Sequence, residues 1–107
     1  MTNPELVAKA VSAIVGASHP RKVILFGSYV RGEDNRNSDL DILVVTGEDV
    51  LDTRKEGVRI RRALRGFAIP LDIIVVTESR LREYGDTPGL IYREALRTGI
   101  VAYEPAA

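Results

Sequence analysis

The chain contains no cysteine, no tryptophan and a single histidine. Without thiols it has neither a disulfide framework nor a thiolate metal site. The one histidine, His19, precedes Pro20 in a polar connection with no acid or cysteine beside it, and reads as a loop residue rather than a ligand. Net charge is missing too: fifteen Lys and Arg balance fifteen Asp and Glu. No global field therefore draws the chain to nucleic acid or to anionic lipid, and any such attraction must be local. Long apolar runs are also absent. Residues 40–45, among the longest, include an acid and are far too short to span a bilayer. The start, Met1-Thr2-Asn3-Pro4-Glu5, lacks the basic and apolar regions of a secretory signal, so the expectation is a cytoplasmic protein with no membrane partner. What the chain does have is 107 residues, 45% of them hydrophobic, which suffices for one core and one domain over residues 1–107.

Periodicity predicts an amphipathic helix from Asn3 to about Gly16, with Asn3 as cap, Pro4 at the first helical position, and Leu6, Val7, Ala10, Val11 and Ile14 at helical spacing. Lys22-Val23-Ile24-Leu25-Phe26 is a short β-branched run that stops at Gly27, and Ser28 to Gly32 is predicted to form one or two helical turns. Glu33 to Asn37 carries no apolar residue and reads as a solvated loop. Ser38 to Thr46 resumes as a strand. A helix is expected from about Asp49 to Arg65, with Val50, Leu51, Val58, Ala63 and Leu64 on one side and Gly57 as its weak point. A third strand follows at 70–76. Thr77-Glu78-Ser79-Arg80 then looks like the cap of a short helix ending near Gly85. Pro88 to Thr98 is predicted as the last helix, closed by Gly99, with 100–103 as an edge strand. Alternating strands and helices give an α/β (α+β) class: a small mixed sheet with helices packed against it, the strand directions left open.

Three features near strand ends belong together: Gly27-Ser28, the pair Asp39 and Asp41, and Asp72. The two-residue period of a strand puts Asp39 and Asp41 on one face. Carboxylates so placed repel unless a proton or a cation intervenes, and a hard divalent ion with oxygen ligands is the natural partner. If the third strand lies beside the second, Asp72 joins them. At Gly27-Ser28, where a strand ends, free backbone N–H groups and the serine hydroxyl can grip phosphate oxygens. This is not a P-loop, because no Gly-Lys-Ser/Thr follows at the required spacing. The alternative for each acid alone is to cap a strand or to pair with a base. Arg31 and Ser38 fit either a nucleotide contact or a brace for the turn. The stretch 54–65 holds six bases against one acid. It reads as a solvated helix face, with no direct nucleic-acid binding expected, and its sharper alternative is a docking face for an anionic partner. Tyr84, Tyr92 and Tyr103 read as core or rim aromatics.

Gly27-Ser28, ten intervening residues, then Asp39-Leu40-Asp41 resembles the signature of DNA polymerase β-type nucleotidyltransferases, with Asp72 matching the third acid. Gly27-Ser28-Tyr29-Val30-Arg31-Gly32 and Ser38-Asp39-Leu40-Asp41 are similar to the fuller pattern of the minimal nucleotidyltransferase (MNT) domains of prokaryotes. Tyr29 departs from it, standing where many members carry a basic or small residue. The resemblance implies the polymerase β-like fold and a Mg²⁺-dependent transferase with ATP as substrate. It implies two Mg²⁺ ions held by Asp39, Asp41 and Asp72, with Asp72 also as base. Gly27, Ser28, Arg31 and Ser38 would bind the nucleotide. Such short domains are similar to the antitoxins of HEPN/MNT toxin–antitoxin pairs, so the expected reaction is transfer of AMP to a tyrosine of a HEPN toxin, a type VII-like antitoxin activity, in an oligomer with that partner. Two alternatives stand beside it: transfer to a small molecule such as an aminoglycoside, and a non-catalytic antitoxin that occludes its partner.

Overall fold

The computed structural model describes residues 4–28, 30, 40–67 and 70–105. Their elements are α1 (Pro4–Ser18), β1 (Lys22–Phe26), β2 (Leu40–Thr46), α2 (Thr53–Ala63), β3 (Leu71–Thr77), α3 (Glu78–Tyr84), α4 (Ile91–Thr98) and β4 (Ile100–Tyr103). The four strands form one mixed sheet in the order β3-β2-β1-β4. β1 runs antiparallel to both its neighbours, whereas β2 and β3 are parallel. A parallel step needs a crossover, and α2 supplies it.

Alternation along the strands gives the sheet two apolar faces. Val23, Leu25, Leu40, Ile42, Val44 and Ile73 meet Val7, Ala10 and Ile14 of α1 and Ile60 of α2 on one face. Ile24, Phe26, Leu43, Val45 and Val76 meet Ala95 of α4 on the other, with Leu81 and Tyr92 packed alongside. Phe26, Ile42, Leu43 and Val44 are fully buried, which is why β1 and β2 read as continuous apolar runs. Each such side chain contributes on the order of 1.5–3 kcal/mol through burial.

The helices depart from the sequence reading at their starts. α2 begins at Thr53 rather than near Asp49, because the Asp52 carboxylate accepts from the amides of Arg54 (3.1 Å) and Lys55 (3.2 Å) and so fixes the first turn. Val50 and Leu51 therefore lie outside the helix, and Leu51 is 95% exposed. Gly57 does not interrupt α2; it is buried, and a Cβ there would lie 3.6 Å from Val75 Cγ2, in ordinary contact with β3. α4 begins at Ile91 rather than Pro88, since Gly89 adopts a positive φ of 85° and Leu90 is extended, neither of which a helix permits. The helical turns expected over Ser28 to Gly32, and the Asn3 cap, fall largely outside the described residues.

Two side-chain links hold the crossover in place. The Arg61 guanidinium donates to the Ile73 carbonyl at 3.0 Å, so a cation guards β3, one edge of the sheet. The Ser79 hydroxyl and amide donate to the Glu48 carboxylate at 2.5 and 3.2 Å, tying the loop after β2 to the first turn of α3. The hydroxyl bond, followed by the amide, holds the Glu48 carboxyl below its ordinary value of 4.5.

Two measurements test this packing. Gly57→Ala adds a methyl in open contact distance and reduces the freedom of the unfolded chain, so urea denaturation should show a gain of about 0.5–1 kcal/mol. A lowered folded-state pKa means that the Glu48 contribution is complete above its unfolded value of 4.5 and disappears as pH falls through the lowered one. Thermal melts of Glu48→Gln should accordingly lose less stability than the wild type on acidification from neutral pH through that range.

Candidate active site

The site lies where β1 ends and β2 and β3 begin. Phe26 is paired with Asp41 across the antiparallel β1–β2 ladder, and Asp41 is paired with Asp72 across the parallel β2–β3 ladder. Residues paired directly share a face, so Phe26, Asp41 and Asp72 stand side by side on the face that carries α3 and α4. Both helices pack further along the strands, where Leu43, Val45 and Val76 are buried with Leu81 and Ala95. The carboxylate end of the rows is left accessible: Phe26 is buried, Asp41 half-buried and Asp72 exposed.

Gly27 closes β1 at a φ of +88°. A Cβ at this position would collide with the Asp41 carboxylate and lie 2.9 Å from its Cγ. The sequence places Gly27 in the phosphate grip expected at Gly27-Ser28. The structure adds a second reason for glycine, because the turn backbone rests against the carboxylate of β2. Ser28 follows in the turn, half-buried, next in the chain to the glycine that rests against Asp41.

Of the residues singled out from sequence, Gly27, Ser28, Asp41 and Asp72 are thus brought together. Asp39, Ser38 and Arg31 lie outside the described residues. Among the described residues no three acids or histidines gather into a metal cluster; Asp41 and Asp72 are register partners on adjacent strands. Sequence reasoning missed the role of Phe26 as the apolar neighbour of Asp41, although its place at the end of an alternating run was a usable signal. It had no means of finding the Gly27–Asp41 contact, which depends on the register of two strands.

Chemically, two carboxylates on adjacent strands, with Cα atoms about 4.8 Å apart, form an all-oxygen donor set next to backbone N–H groups. That combination fits a hard divalent cation on the acids and a phosphate at the turn.

The nucleotidyltransferase domain family matches the chain over residues 5–100. The chain is a member of that family. This nucleotidyltransferase domain is 30% identical, over 80 residues, to a Methanocaldococcus jannaschii protein whose name proposes it as a protein adenylyltransferase; the match covers 75% of this chain and 67% of the relative. In structure it is similar to a chain from Sulfolobus solfataricus proposed as a nucleotidyltransferase, with a TM-score of 0.64 and 22% identity over 94% of this chain and 78% of the other. It is also similar to a chain of a toxin–antitoxin complex crystallised with AMP-PNP (TM-score 0.55, 23% identity, 92% and 73% covered). A mutant of the MntA–HpeT toxin–antitoxin complex gives a TM-score of 0.57 at 18% identity, with 98% and 75% covered. At these identities the structural likenesses establish the fold of the nucleotidyltransferase domain. The expected mixed sheet flanked by helices is the one found.

The in-register acids carry a cost that a stability measurement can read. Like charges directly opposite on neighbouring strands destabilise by roughly 0.2–1 kcal/mol. In chelator-treated buffer, Asp72→Asn should be more stable than the wild type by about that amount. Added Mg²⁺ should raise the melting temperature of the wild type and leave the variant little changed. A variant no more stable without metal, yet equally responsive to it, would remove Asp72 from the site.

Proposed function

We propose that the domain transfers AMP from ATP to a tyrosine hydroxyl of a partner HEPN toxin, and so acts as that toxin's antitoxin. The observation that carries the reading is the register pair Asp41–Asp72 set against the Gly27-Ser28 turn. Supporting it are the relative named for protein adenylylation and the two neighbours taken from toxin–antitoxin complexes, one with a bound adenine nucleotide analogue.

In this reading Asp39, Asp41 and Asp72 hold two Mg²⁺ ions. Bound there, the metal supplies positive charge to the triphosphate and lowers the cost of ionising the acceptor hydroxyl. The Ser28 hydroxyl and the turn amides grip the outer phosphates, and Gly27 keeps that surface free of side chains. Arg31 and Ser38 complete the nucleotide contacts. The tyrosine oxygen forms a bond to the α-phosphorus as the bond from that phosphorus to pyrophosphate breaks. The hydroxyl proton passes to the Asp72 carboxylate, which is the exposed member of the pair and therefore the one an incoming acceptor reaches.

The test is incubation of the purified chain with a HEPN-family toxin, Mg²⁺ and α-labelled ATP. Label should transfer to the partner's tyrosine, and Asp41→Ala should reduce the rate by about 100-fold or more. Persistence of labelling in that variant would overturn the metal assignment. Pyrophosphate release on an aminoglycoside with no second protein present would instead place the activity on small molecules. Protection of cells by an Asp39→Asn/Asp41→Asn double variant would make occlusion, not transfer, the basis of neutralisation.

A further inference from the structure

α2 runs back along β3 toward the candidate site. A Cβ on Gly57 would lie 3.6 Å from Val75 Cγ2, and one turn later the Arg61 guanidinium reaches the Ile73 carbonyl at 3.0 Å. Ile73 is the residue after Asp72. The chain then continues through Arg62 and Arg65, both exposed, with the Arg65 amide donating to the Arg62 carbonyl at 3.3 Å. These cations therefore lie at the end of α2 nearest the start of β3, where Asp72 is exposed on the other face. β3 is the last strand of the sheet on that side, so its own width separates the arginines from the acid.

Arg54 and Arg61 are seven residues apart, which puts them on one stripe of a helix with 3.6 residues per turn, and Val58, 44% exposed, lies between them. The contact of Arg61 with Ile73 marks this as the stripe beside the β3 edge. From Arg54 to Arg65 it extends about 16 Å. Glu56, the one acid in residues 54–65, faces away and is engaged by Ser18 and Arg59. Arg54, Arg62 and Arg65 have no ion-pair partner among the described residues. Helix stability does not account for the row. Cations in the last turn suit the helix dipole, but Arg54 and Lys55 stand in the first turn, where it opposes them, and Arg61 and Arg65 are like charges four residues apart.

We infer that this face of α2 receives an acidic surface of the protein that supplies the acceptor hydroxyl, and so delivers that hydroxyl over the β3 edge to Asp72. The inference rests on the protein-acceptor reading above and names the chemistry by which the acceptor is recognised. The sign of the row selects an anion, and its length and convex form select an extended surface instead of a small ion. Three features favour protein carboxylates over nucleic acid. Residues 54–65 contain no aromatic on which a base could stack. The net charge of zero supplies no wider field for a polyanion. Five of the six bases are arginine, the cation enriched where proteins meet, and the exposed Val58 among them gives an apolar contact that a phosphate backbone would not use.

Titration calorimetry of the full chain with a HEPN-family toxin, without ATP and at low and high salt, tests the inference, with far-UV circular dichroism as the check on folding. The wild type should bind, and more weakly at high salt. Arg54→Glu/Arg65→Glu should raise the dissociation constant at least about tenfold, and the milder Arg54→Gln/Arg65→Gln should raise it severalfold. Lys9→Glu/Arg97→Glu, which changes the net charge equally but on α1 and α4, should bind as the wild type does. In AMP transfer, the Arg54/Arg65 variants should raise KM for the toxin and leave kcat and KM for ATP unchanged. A wild type that binds no toxin would overturn the inference, as would toxin affinity unaffected by the Arg54/Arg65 changes, equal weakening by Lys9→Glu/Arg97→Glu, or a stripe that binds RNA while toxin affinity is unaffected. Loss of toxin binding in the Arg54/Arg65 variants of a chain that transfers no AMP would uphold the docking face and remove the transferase reading. Transfer with an unaltered KM for the toxin would do the reverse.

Discussion

The parallel pairing of β2 with β3 is the constraint on which the rest depends. It brings Asp41 beside Asp72, and it does so only in the register observed; a slip of one residue would turn Asp72 toward the α1–α2 face and leave Asp41 beside an apolar neighbour. The register is itself held by burial. Ile42, Val44 and Ile73 must lie under α1 and α2 while Leu43 and Val45 lie under α3 and α4. Two oppositely directed hydrophobic requirements therefore fix the position of a pair of charges that, left to themselves, would separate.

The crossover that allows this pairing is reinforced at several points. α2 lies on β3 through Gly57, its first turn is capped by Asp52, and Arg61 reaches the β3 backbone. Ser18 of α1 donates to Glu56 at 2.6 Å, and Arg59 pairs with the same carboxylate at 3.1 Å, so the two helices on that face are joined through one acid. On the other face Glu48 and Ser79 join the loop after β2 to α3. Several bases of the 54–65 segment thus have structural partners: Arg59 and Arg61 fasten α2 to its neighbours, while Arg54, Lys55, Arg62 and Arg65 remain on its exposed surface.

Much of this was legible in the sequence because the informative residues are local. Gly27-Ser28 after a β-branched run, and Asp41 and Asp72 near the starts of two later apolar runs, mark strand ends from periodicity alone. The Thr77 cap of α3, whose hydroxyl accepts from the Arg80 amide at 3.3 Å, was likewise readable. What could not be read depends on partners distant in the chain. Whether β3 runs beside β2 or beside β1 decides whether Asp72 meets Asp41, and nothing within either segment says which. Gly57 looked like a weakness because helix propensity is a local quantity, whereas the packing of α2 on β3 carries the helix through it. The starts of α2 and α4 were misplaced for a related reason: Val50 and Leu51 match the helical period, but the Asp52 cap and the positive φ of Gly89 override it.

The contact between Gly27 and the Asp41 carboxylate has a genetic consequence. A side chain at position 27 is barred twice, by backbone conformation and by the carboxylate above it. Room would have to come from the Asp41 side chain, by moving or shortening it, and either change alters the carboxylate that stands beside Asp72. A substitution at Gly27 is therefore also a disturbance of position 41. The two positions constrain one another's identity across the turn and the strand.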